Sequence, residues 1–92
     1  MKRHLEINFR GRPRGLAVMQ FAVRAAHKSG LAGYVKRLPT GTVHIEAEGE
    51  EENLKRFLKA CQERPEWAGE RDEFSVSDKL IGYEKFYIRK QG

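Results

Sequence analysis

Apolar residues along this chain recur first at every second position and then at every third or fourth, and each switch of spacing marks a new element. From His4 to Arg10, Leu5, Ile7 and Phe9 alternate with His4, Glu6, Asn8 and Arg10, the period-two pattern of a half-buried strand. Gly11-Arg12-Pro13-Arg14-Gly15 interrupts it with two glycines and a proline, so a loop follows. From Leu16 to about Lys28 the period becomes helical, with Val18, Phe21, Ala22, Ala25 and Ala26 forming one apolar stripe. Ser29-Gly30 supplies the stop, and His27 and Lys28 put positive charge in the last turn, where the helix dipole favours it.

Tyr34 to Leu38 reads as a second strand, and Pro39-Thr40-Gly41 as the turn into a third, where Val43, Ile45 and Ala47 alternate with His44, Glu46 and Glu48. Gly49 ends that strand. Glu50, Glu51 and Glu52 place acids at the start of a second helix with the stripe Leu54, Phe57, Leu58 and Cys61. Gln62 to Asp72, with Pro65 and Gly69, reads as a loop whose large apolar residue is Trp67. Phe74 and Val76 mark a fourth strand, and Phe86 and Ile88 a last short one running to Lys90. The order strand, helix, strand, strand, helix, strand, with an extra edge, predicts an α+β ferredoxin-like two-layer sandwich. Its antiparallel sheet would carry both helices on one face and leave the other open to solvent.

Length and charge narrow the picture. Ninety-two residues, 39% of them hydrophobic, suffice for one small core, so residues 1–92 are expected to form a single domain. Lysine and arginine exceed aspartate and glutamate by 18 to 13, a net charge of +5, and the pI near 9.6 favours anionic ligands. The N-terminal residues lack the apolar run of a signal peptide, and no stretch reaches the roughly 20 apolar residues of a membrane span. A single cysteine excludes an internal disulfide. A cytoplasmic location fits these facts. Cys61 continues the second helix's stripe and reads as a core residue. His4, His27 and His44 share no metal-ligand spacing, so neither a metal nor a cofactor is expected.

A longer pattern is similar to the acylphosphatase family. It consists of Gly11-x-Pro13-x-Gly15, a helix containing Ala26, then Gly30-Leu31-x-Gly33-Tyr34-Val35-x-x-Leu38-Pro39-x-Gly41-Thr42-Val43, and later Gly49. Gly82-Tyr83-Glu84-Lys85-Phe86-Tyr87-Ile88-Arg89 resembles the family's last strand, so the similarity covers nearly the whole chain. The resemblance implies hydrolysis of acyl phosphates without a metal or a covalent intermediate. It further implies a first loop whose backbone N–H groups cradle the phosphate, an arginine at the start of the helix that clamps it, and an asparagine that positions the attacking water.

Counting back eleven residues from Gly30 places that arginine at Met19, and two residues beyond Val35 the asparagine position holds Arg37. A thioether brings neither charge nor donor to a phosphate. Arg37 donates only, so it offers the water no acceptor, although it suits an anion. Each lost transition-state contact costs about 3–4 kcal/mol. Pro13 also removes one N–H from the cradle.

The anion-binding candidates are therefore Arg12, Arg14, Gly15, Leu16 and Ala17 at the helix start, together with Arg37, with phosphate or another small anion as ligand. The expected function is a phosphate-binding, acylphosphatase-like domain with hydrolysis absent or strongly impaired. The alternatives are an active acylphosphatase that turns over acyl phosphates through a variant site, or a basic module for RNA or an acidic protein partner. Glu6, Glu46 and Glu48, expected on the open sheet face beside Asn8, argue against a nucleic-acid platform.

Overall fold

The computed structural model describes residues 1–10, 15–63 and 71–90, with the backbone alone given for residues 10, 15–17, 71 and 72. The elements are β1 (Lys2–Arg10), α1 (Gly15–Lys28), β2 (Ala32–Arg37), β3 (Val43–Glu50), α2 (Glu51–Gln62), β4 (Arg71–Ser77) and β5 (Phe86–Ile88). They form one mixed sheet of order β4-β1-β3-β2-β5. The antiparallel pairing expected from the sequence holds for β1 with β3, β1 with β4 and β2 with β3. β5 lies parallel to β2 in a short additional ladder, Gly33 to Val35 against Phe86 to Ile88.

The apolar alternation of each strand becomes the core. Leu5 pairs with Ala47, Ile7 with Ile45 and Phe9 with Val43, and all six are buried on one sheet face. Val18, Ala22 and Ala26 of α1 and Leu54, Phe57 and Cys61 of α2 pack onto that face. Phe57 meets Phe86 edge-on, with ring centroids 6.1 Å apart, which ties α2 to the short β5.

Two glycines are needed for the backbone path. Gly30 takes a positive φ of 67° just past α1, while Leu31 N–H donates to Ala26 C=O at 2.9 Å, the helix-closing pattern that a left-handed residue permits. Gly33, at φ 147°, lets β2 approach β3 so closely that a Cβ there would collide with the Glu46 carbonyl.

One expectation is corrected. The face without helices is not fully open: residues 78–85 cross it, and His4 and Glu48 are only 6% and 7% exposed. β4 and β5 lie at opposite edges of the sheet. Their connection must therefore cross a face, and the helices occupy the other one. The strand boundaries shift slightly: β4 begins at Arg71, inside the stretch read as loop, and β5 ends at Ile88. Trp67, Pro65 and Gly69 lie outside the described residues.

Candidate anion site

β1 and α1 set the geometry of the candidate site. Arg37 closes β2 opposite Val43, and Val43 lies opposite Phe9. The last residues of β1 and β2 therefore share one end of the sheet, separated by two strand spacings or about 10 Å. From that end the chain leaves β1 at Arg10 and re-enters regular structure five residues later at Gly15, the first residue of α1. The start of α1 is thus held near the C-terminal ends of both strands, with Arg37 on the neighbouring strand end.

A helix start exposes backbone N–H groups without intrahelical partners and carries the positive end of the helix dipole. The first turn, Gly15-Leu16-Ala17-Val18, contains no acid to neutralise that end. Gly15, Leu16 and Ala17 lie in that first turn, at the N-terminal end of α1. Arg12, Arg14 and Pro13 lie outside the described residues. Arg37 is exposed and engaged in contacts of its own.

Met19 follows the first turn, and its side chain is partly buried against the core cluster. It continues the apolar stripe begun by Val18, which is 6% exposed. None of the first five residues of α1, Gly15-Leu16-Ala17-Val18-Met19, carries a charged side chain.

Sequence reasoning missed a second constellation, on the helix-free face. His4 Nδ1 lies 2.6 Å from Glu48 Oε2, and His4 Nε2 lies 3.1 Å from Glu46 Oε1 and 3.8 Å from Glu6 Oε1. Glu46 also accepts from His44 Nε2 at 3.0 Å, from the Tyr83 hydroxyl at 3.0 Å and from the Tyr34 hydroxyl. Burial pushes the Glu46 carboxyl up, but these hydrogen bonds outweigh it and hold it down to about 2.

Burial likewise raises Glu48, while the Ile81 and Gly82 N–H groups, His4 and the Tyr83 N–H bring it below the usual carboxylate range. The phenols respond in the opposite sense: burial first, then the Glu46 hydrogen bond, raises Tyr83 to about 12 and Tyr34 higher still. Arg89 lies over the Tyr34 ring at 3.7 Å. The signal for this cluster was the period-two run of polar residues on β1 and β3, but only the register places His4 opposite Glu48 and Glu6 opposite Glu46.

The acylphosphatase family model matches residues 5–88. The chain belongs to the acylphosphatase family. It is 38% identical over 84 residues to the acylphosphatase of Archaeoglobus fulgidus, covering 91% of this chain and 94% of that protein. To the acylphosphatase of Bacillus licheniformis it is 39% identical over 79 residues, covering 85% and 88%. The crystal structure of the Bacillus subtilis acylphosphatase shares the fold at a TM-score of 0.84 and 32% identity, covering 97% of this chain and 99% of that one.

Acylphosphatase-family proteins act on acyl phosphates, so the family's substrates carry a phosphate anion. No helix among the described residues is long and apolar enough to cross a membrane.

Proposed function

We propose that this chain is an acylphosphatase-family domain that binds phosphate or a related small anion at the start of α1 and has lost most or all acyl-phosphate hydrolysis. The observation that carries the reading is Met19: at the helical position where the family resemblance places an anion-clamping arginine, a thioether packs against the core. Arg12, Arg14, the N–H groups of Gly15, Leu16 and Ala17, and Arg37 supply the remaining positive potential. A guanidinium at position 37 holds an anion but offers no acceptor to orient a nucleophilic water. Ground-state binding is retained, and the contacts specific to the transition state are lost.

Hydrolysis of benzoyl phosphate by the purified protein tests this directly. We expect a rate at least about 100-fold below that of an ordinary family member, the loss associated with one missing transition-state donor. Comparable turnover would overturn the reading. The paired substitution Met19→Arg and Arg37→Asn is expected to raise the rate. Phosphate titration followed by amide NMR is expected to shift residues 15–19. RNA-induced shifts on the helix-free face would instead favour a nucleic-acid module.

A further inference from the structure

The geometry points to a divalent transition-metal site, of a kind that suits zinc, formed by His4 Nε2, Glu46 Oε1 and Glu6 Oε1 on the helix-free face. These three ligand atoms all lie within 4.8 Å of one another. Two ligands bound tetrahedrally to one zinc at about 2.0–2.1 Å are about 3.3–3.4 Å apart. The separations of 3.1 and 3.8 Å from His4 Nε2 to the two carboxylates straddle that value, so small side-chain rotations close the site.

The hydrogen bonds around Glu46 turn one of its acceptor directions toward His4. A carboxylate offers about four lone-pair directions. On Glu46, Tyr34, His44 and Tyr83 each supply a donor, and the remaining direction, on Oε1, faces His4. On the far side of the imidazole, Glu48 Oε2 accepts at 2.6 Å from Nδ1, which places the ring hydrogen there and turns Nε2 toward Glu46 and Glu6. A carboxylate behind a histidine that fixes its tautomer and orientation is the usual outer support of a metal-ligating imidazole.

Glu48 is itself held by the N–H groups of Ile81 at 2.6 Å and Gly82 at 2.9 Å. The support is therefore anchored in the backbone of the 78–85 crossing. Three carboxylates converge on one imidazole, and the two that flank Nε2 combine oxygen donors with a ring nitrogen, a ligand set that zinc accepts. Glu6 is half exposed, which gives a metal ion a route in from solvent and leaves room for a water as fourth ligand. The site is independent of the anion site: it lies on the opposite face from α1 and, by the five residues from His4 to Phe9, about 17 Å along β1 from the strand ends that flank Arg37.

Titration of zinc chloride into the full chain at pH 7.5, in a non-chelating buffer and followed by calorimetry, tests the assignment. Saturable binding of one zinc per chain is expected, with a shift of the His4 Nε2 resonance in nitrogen NMR. Glu6→Gln, near-isosteric and on the exposed side of the cluster, is expected to weaken binding at least about tenfold while preserving the circular dichroism spectrum. His4→Gln is expected to abolish it. Absence of saturable uptake would overturn the assignment. Uptake unchanged by Glu6→Gln, or without a His4 shift, would place the ion elsewhere and overturn it equally. Should His4→Gln fail to fold, Glu6→Gln and the His4 resonance decide the matter.

Discussion

Gly33 shows how much one residue can fix. Its φ of 147° and the contact that a Cβ would make with the Glu46 carbonyl leave no space for a side chain. Gly33→Ala is expected to lower stability on the order of 2–3 kcal/mol, measurable by urea denaturation. Cys61, fully buried on α2, has its thiol pushed up to about 12 by burial. It stays protonated and shielded, so a disulfide reagent at pH 8 is expected to modify it only as fast as the chain unfolds, and immediately in denaturant. Residue identities of this sort were readable in the sequence: the glycine fell in a recognisable pattern, and the cysteine continued an apolar stripe. Glu46 and Glu48 were not, because the alternation that put them on the helix-free face says nothing of what crosses it. Their burial depends on where β4 and β5 end up.

At the scale of elements, periodicity located both helices and all five strands; the stripes and alternations of the others reach the core, whereas Phe74 and Val76 of β4 stay exposed at the sheet edge. The family pattern singled out the start of α1 as the proposed anion end, and the register brought Arg37 to the same end of the sheet. The 78–85 crossing was illegible because it has no repeat of its own; its order comes from N–H groups that converge on Glu48. Glu48→Gln retains the shape but halves the acceptor capacity and removes the charge. Amide hydrogen exchange at Ile81 and Gly82 is expected to accelerate at least about tenfold in this variant, while the α1 and β1 amides change little.

For the molecule as a whole, α1 sits on the sheet through the small residues Val18, Ala22 and Ala26, and α2 through the larger Leu54 and Phe57. Phe57, fully buried between α2 and Phe86, is the central one, and Phe57→Ala is expected to cost about 3–5 kcal/mol in equilibrium unfolding. The net charge of +5 acts on ligands more than on the fold. Phosphate affinity at the start of α1 is expected to fall several-fold between 0.02 and 0.2 M salt, roughly the range over which screening shortens the reach of exposed charges to below 10 Å.

The central place of β1 also bears on how the chain folds. It pairs on one side with residues 43–50 and on the other with residues 71–77. Neither edge closes through a local turn: even the nearer pairing, Phe9 with Val43, spans 34 residues, from 9 to 43. Ordering β1 on both sides therefore depends on long-range contacts, so closure of the sheet is expected to be slow beside the formation of either helix.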